Sequence, residues 1–365
     1  MESFNDTEPV TPGNSASSDC YSSRRMRARL WLPALLLLAA GCRRDSRTPI
    51  VVYSPHGRDL LGLMEKTYEQ KHPEVDVRWL DMGSQEVYDR VRSEKANPQA
   101  DLWYGGPNTI FARAAREDLL APFRPGWSTA IPSESRGPRD LYFGLYRTPA
   151  VLVYNAAAIP AVDAPRDWDD LLDPRWKRKI IIRYPLASGT MRAFFGMILS
   201  RSVEETGSPD RGFEWLKKLD AQTKNYEMNA SLLVEKIARR EGLITVWDLP
   251  DVLLEMRKSK DLAYVFPRSG TPVIDDAAGL VQRAKHAGAA RPFIEWLGSP
   301  EAELLAAEKA YRLPARTDLP DSQLPDWARD VVQKMVPARL NWDLIEREGA
   351  AWMARWDREI RGQGR

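Results

Sequence analysis

The chain has 365 residues, with 53 Lys and Arg against 51 Asp and Glu and a formal net charge of +2. Charge so balanced implies no broad surface for nucleic acid or for an anionic membrane, and any charge selectivity must come from a local site. Two cysteines and three histidines leave no disulfide framework and little material for acid–base or metal chemistry.

Residues 1–23 are polar and unlike the start of an export signal. Met26 opens Met26-Arg27-Ala28-Arg29, a compact basic region, so translation is expected to start at Met26, with residues 1–25 a misassigned start or a disordered leader. Arg24, Arg25, Arg27 and Arg29 precede an apolar run, Leu30 to Ala40, that is too short for a permanent span but suits a signal's hydrophobic region. The segment Leu38-Ala39-Ala40-Gly41-Cys42 resembles a bacterial lipobox, which implies an acylated Cys42 as the mature N-terminus; an ordinary secretory signal with a chance cysteine is the alternative. The leader is then 1–41 and a tether runs over 42–48. With Cys20 removed and Cys42 lipidated, the body carries no thiol. Residues 42–365 are long enough for two domains with sizeable cores.

From residue 50 short β-branched runs alternate with helical patterns, the signature of an α/β body with a mainly parallel sheet. Ile50–Ser54 reads as a buried strand, and Leu60, Leu61, Met64 and Tyr68 follow at helical spacing up to His72-Pro73. Val75–Leu80 alternates as a second strand. A helix from about Gln85 to Lys95 turns Val87, Tyr88 and Val91 inward. Asp101–Tyr104 is a third strand ended by Gly105-Gly106-Pro107, with helix around Phe111–Arg116. A Pro- and Gly-rich segment, 122–138, precedes a second α/β block. There Val151–Asn155 is a strand expected to cross between lobes, Lys179–Ile182 a strand, and Ser188-Gly189-Thr190 the opening of a helix through Phe194, Phe195 and Ile198. Leu243–Val246 is a strand ending at Trp247-Asp248, and Pro267–Pro272 a return hinge. The chain from His286 onward is mostly helical, with Trp296, Trp342, Trp352 and Trp356 as packing anchors.

In open α/β sheets, ligands sit beyond the carboxyl ends of the strands, where loops lead into helix N-termini. That rule gathers Ser54 and His56, Gly83 and Ser84, and Gly105 and Gly106 from one lobe. From the other it gathers Ser188, Gly189, Thr190, Trp247 and Asp248. Ser188-Gly189-Thr190 offers free amides, a positive dipole end and two hydroxyls to an anion, although a plain helix cap explains the same residues. Gly83-Ser84 has the same two readings. His56 is either a ligand contact or an ordinary loop histidine, while His72 and His286 read as structural. Trp247-Asp248 is either a core tryptophan beside a helix cap, or a wall and a carboxylate for a cationic or hydroxylated group. Tyr146 and Tyr184 could line the cleft or pack.

Tyr53-Ser54-Pro55-His56-Gly57, Gly83-Ser84-Gln85, Trp103-Tyr104-Gly105-Gly106-Pro107, Trp168 to Trp176, Ser188-Gly189-Thr190 and Gly270-Thr271-Pro272 occur in one order. Together they resemble the extracellular solute-binding proteins of the ferric-iron, thiamine and 2-aminoethylphosphonate importer group. The resemblance implies an α/β, two-lobe type II periplasmic-binding-protein fold with a hinged interlobe cleft. Lobe 1 is expected over 49–148 plus 270–365, with the C-terminal helices, and lobe 2 over 149–269. Together with the lipobox-like segment it implies an exported, lipid-anchored monomer facing the periplasm or cell surface, which captures a small solute for an ABC permease in the inner membrane. No catalysis, cofactor, resident metal or nucleic-acid partner is expected. Iron-binding members carry adjacent tyrosines after the strand matching Leu243–Val246, and here the segment reads Thr245-Val246-Trp247-Asp248-Leu249-Pro250. The retained anion turn without those phenolates points to a phosphonate, organophosphate or carboxylate, with ferric binding through other ligands as the alternative. A secreted hydrolase is the rival of another class. Gly-X-Ser-X-Gly, a paired-histidine motif and a Walker loop are all missing from the sequence.

Overall fold

The protein is described by a computed structural model covering residues 46–363. The Met26 start, the signal segment and Cys42 lie outside the described residues. Among those described, no helix is long and apolar enough to cross a membrane.

The first block runs β1 (Thr48–Ser54), α1 (Gly57–Lys71), β2 (Val75–Asp81), α2 (Ser84–Ser93), β3 (Leu102–Pro107), α3 (Asn108–Arg116) and the short β4 (Leu120–Ala121). β1 lies between β2 and β3, parallel to both. The apolar spacing read from the sequence becomes the inner face of each helix, as Leu60, Leu61, Met64 and Tyr68 in α1 and Val87, Tyr88 and Val91 in α2 are buried. Gly105-Gly106-Pro107 belongs to β3 rather than ending it.

β5 (Phe143–Asn155) is the long crossing strand. The second block follows as β6 (Ile180–Arg183), α4 (Gly189–Thr206), α5 (Asp210–Gln222), β7 (Thr223–Glu227), α6 (Ala230–Ala238), β8 (Ile244–Asp248), α7 (Leu249–Met256) and β9 (Leu262–Val265). The chain returns through β10 (Val273–Val281), α8 (Ala287–Leu297), α9 (Pro300–Ala310), β11 (Leu313–Pro314), α10 (Asp326–Lys334) and α11 (Trp342–Glu359). The first half of β5 pairs antiparallel with β10, and its second half with β8 and β9. One strand thus serves both sheets, and residues 266–272 form the second connection.

Two apolar clusters cover the first sheet, one containing Leu60, Met64, Phe293 and Leu297 and the other Val87, Trp103 and Phe111. A third fills the second lobe around Val151, Ile181, Phe194 and Val246. The sequence reading assigned all of 270–365 to the first lobe, and packing corrects that. α8 and α9 join the first lobe, whereas Val331, Ile345, Trp352 and Trp356 join the core of the second. Trp356 is held edge-on by Phe195 at 5.3 Å and Tyr226 at 5.0 Å. Trp296 and Trp342 are only partly buried.

Candidate functional site

Turns from both lobes converge on a cavity of about 80 Å³. Of the eleven residues gathered from the sequence, His56, Gly83, Ser84, Ser188, Gly189, Thr190, Trp247 and Asp248 line it. Ser54, Gly105 and Gly106 do not; they stand behind the wall. The fully buried Ser54 accepts the His56 amide at 3.2 Å through Oγ. Gly105 has φ +100°, and a Cβ there would fall 2.3 Å from Nε2 of His56, so the imidazole packs on bare backbone. The Gly106 amide donates to Asp276 Oδ1 at 3.1 Å.

On the second lobe, the Ser188 hydroxyl oxygen accepts the Met191 amide at 3.2 Å and caps α4. The amides of Gly189 and Thr190 precede the first helical hydrogen bond and point from the helix start. Beside them ends β6, and Arg183 there is buried. Its Nη1 donates to the Glu227 carbonyl at 3.0 Å, while its Nε has no partner among the described residues. This end of the cavity is electropositive.

The other end is acidic. Asp248 caps α7 by accepting the Asp251 amide on Oδ1 at 3.2 Å, and its second oxygen makes no hydrogen bond among the described residues. Asp276 accepts from Gly106 and from the Thr148 hydroxyl. Asp251 accepts the Trp247 indole N–H at 3.0 Å. Burial, and then the neighbouring Asp251, push the Asp248 carboxyl well above the usual carboxylate range. Burial also raises Asp276. Arg312 threads between them, donating to the His56 carbonyl at 3.2 Å and lying 3.6 Å from Asp251, with its Nε unpartnered. Burial would lower its pKa, yet Asp251, Asp248 and Asp276 together raise it, so it is a fixed cation. His56 is the converse: burial and then Arg312 hold it well below its ordinary value, a neutral imidazole with Nε2 unpartnered. It sits edge-on to Tyr104 at 4.8 Å and Tyr146 at 5.7 Å.

Sequence reasoning did not reach Thr148, Arg183, Asp251, Asp276 or Arg312. Arg183 ends a strand that was read, so the strand-end rule extended by one residue would have found it. Asp276 lies on a return strand that was not read, and Arg312 comes from a segment 256 residues away from its partner His56. Neither tyrosine lines the cavity. Tyr146 bonds Tyr104 hydroxyl to hydroxyl at 2.7 Å, and Tyr184 donates to Asp357 at 2.9 Å. His72 stacks on Tyr68 at 4.2 Å. His286 immediately precedes α8, and its ring and amide bond Asp101 at 3.0 and 2.7 Å.

The cavity opens to a vestibule of about 280 Å³ bounded by Arg58, Asp81, Asp251 and Lys258. A larger hollow, about 320 Å³, lies beside Trp168 and Trp215, away from the Gly83-Ser84 and Ser188-Gly189-Thr190 turns. Among the described residues no three His, Cys, Asp or Glu side chains are grouped to hold a metal ion.

A probable ABC transporter periplasmic-binding protein of Sinorhizobium fredii is 26% identical over 95% of this chain and 96% of its own length. A putative 2-aminoethylphosphonate-binding periplasmic protein of Salmonella typhimurium is 29% identical over 77% of this chain and 82% of its own. The solved structure of AfuA from Actinobacillus pleuropneumoniae, with exogenous fructose-6-phosphate bound, superposes with a TM-score of 0.73 at 23% identity, covering 87% of this chain and all of that one. It shares the two-lobe type II periplasmic-binding-protein fold. The family model for bacterial extracellular solute-binding protein matches residues 97–346, most of the body that builds both walls of the cleft. The chain belongs to that family, as a solute-binding protein of an ABC importer.

Proposed function

We propose that this protein captures a small organic anion carrying a second, cationic or hydroxylated end, an aminophosphonate first among the candidates, and presents it to an inner-membrane permease from a lipid anchor at Cys42. One observation carries the reading: the cavity is polarised. Ser188, Gly189, Thr190 and Arg183 stand at one end, and Asp248 and Asp276, with Asp251 and the cation Arg312 among them, at the other. Buried groups of opposite sign stabilise a solute of matching polarity and reject one of uniform charge. The 2-aminoethylphosphonate named for the Salmonella relative has that polarity. A longer organophosphate is served by the vestibule beside His56.

A melting screen of phosphonates, aminophosphonates, sugar phosphates, thiamine, carboxylates and ferric citrate tests this. A ligand at about a hundred times its dissociation constant stabilises the fold by about 2.7 kcal/mol. A shift with ferric salts alone, or visible phenolate-to-iron colour in the purified protein, sinks the organic-anion reading. The anchor is tested separately, since Cys42→Ala should abolish lipid labelling and release the protein from membranes.

A further inference from the structure

A second hollow, of about 270 Å³, lies one turn along α4 from Ser188, where α3 of the first lobe meets α4 and α11 of the second. Four guanidiniums face it, Arg113, Arg116, Arg192 and Arg347, with Glu346 in the lining and Glu117 and Glu348 beside it. Arg116 takes the Glu346 carboxylate across the lobe boundary. Arg113 lies 4.4 Å from the Tyr88 ring and 3.5 Å from Glu117, and Arg347 pairs with Glu348 at 3.0 Å. Arg192 forms no ion pair among the described residues, although Asp89 lies near enough to act on it. Its Nη2 donates to the Leu186 carbonyl at 2.9 Å and its buried Nε has no partner among the described residues. Burial, and next Arg113, lower its pKa, against Asp89 and Tyr184, which raise it. Three of the four guanidiniums hold a carboxylate and Arg192 does not, so an anion in the hollow would meet its free N–H first, and planar N–H forks bind phosphate oxygens in pairs.

We propose that this pocket is a second oxyanion site, for phosphate or a dianion of like geometry, distinct from the solute cleft. Its walls come from both lobes, so an anion there bridges Arg113 and Arg116 to Arg192 and Arg347 and favours the closed form. The inference stands whatever solute the cleft takes.

The test is arginine labelling of the full-length protein with phenylglyoxal, with and without inorganic phosphate, at ionic strength balanced by sodium chloride and mapped by mass spectrometry. At about ten times the dissociation constant, labelling of Arg192 and Arg347 should slow about tenfold. Labelling of Arg183 and Arg312 reports the cleft separately. Equal rates at Arg192 and Arg347 with and without phosphate, or the same protection from sodium chloride, overturn the proposal. Arg347 is exposed, so Arg347→Gln keeps the fold; it should weaken phosphate about tenfold in calorimetry, as loss of a charged hydrogen bond does. Unchanged phosphate affinity in that variant also overturns it.

Discussion

Closure of the cleft brings bare backbone of one lobe against the other, and Gly189→Ala should therefore weaken solute capture without weakening the fold. A Cβ at 189 would stand 2.6 Å from Cδ and Cγ of Pro107 and 3.1 Å from Oγ of Ser84, all on the opposite lobe. Carbon atoms rest about 3.5–4.0 Å apart, so the lobes must part by about 1 Å at this point. The Pro107 ring is rigid and cannot swing aside. Overpacking of this kind costs about 1–3 kcal/mol, which falls on the closed form alone. Apparent affinity should then drop about 5- to 150-fold. In the open form the same substitution replaces glycine in the first turn of α4 and adds about 0.5–1 kcal/mol to stability. The ligand-free protein should melt at the same temperature or slightly higher.

Gly83→Ala provides the control against a direct clash with solute. Its Cβ would meet the Ala187 carbonyl at 2.9 Å from the other side of the boundary, and its φ of −59° suits alanine. One parting of the lobes relieves both contacts, so the double variant should lose less than the sum of the singles. Calorimetry with the best solute of the screen, and small-angle scattering at saturation, supply the readout. Unchanged affinity in both single variants, or strictly additive losses, would refute the steric argument.

The remaining predictions concern charge. Asp248 has a folded-state pKa raised by burial, so it contributes stability only below the ordinary carboxyl value of about 3.9 and loses it as pH rises through the folded value. Urea unfolding of the ligand-free protein should show stability falling with pH over that window, and Asp248→Asn should flatten the slope. An amine-bearing solute must expel the proton, so its binding heat should vary with the ionisation enthalpy of the buffer; Asp248→Asn removes that dependence, and a buffer-independent heat in the parent protein contradicts the assignment. Arg312→Met strands Asp251, Asp248 and Asp276 without their cation and should cost about 3–5 kcal/mol near neutral pH, less in acid, by denaturant unfolding. Ser188→Ala removes a cap worth about 1 kcal/mol, whereas Arg183→Gln touches no cap; both should weaken anionic solutes about tenfold or more, each through one lost charged or helix-end contact.

Local chemistry made much of this molecule legible. Strand, turn and helix announce themselves by period and by glycine, which is why the turns at Gly83-Ser84 and Ser188-Gly189-Thr190 could be placed at the cleft before any coordinates. The C-terminal helices show the limit of that reading. The apolar stripe of α11 states that Trp352 and Trp356 are buried, but nothing local names Phe195 and Tyr226 as what Trp356 buries against. Assigning them to the nearest lobe in sequence order therefore failed.

The charges of the cleft are harder still, because a sequence displays charge and not desolvation. Asp248 caps α7 in any environment; only its burial, and then the crowding of Asp251 and Asp276 around it, lift its carboxyl out of the ordinary range, while Arg312, arriving from the far end of the chain, pulls the other way. Asp276 and Thr148 meet because β10 runs antiparallel to β5, a pairing of segments more than a hundred residues apart. The polarity that separates a two-ended solute from a simple anion is thus a property of long-range topology. Turn motifs that place a ligand in this cleft carry no information about which charges it must bear, and the acidic end must be tested by mutation rather than inferred from any motif.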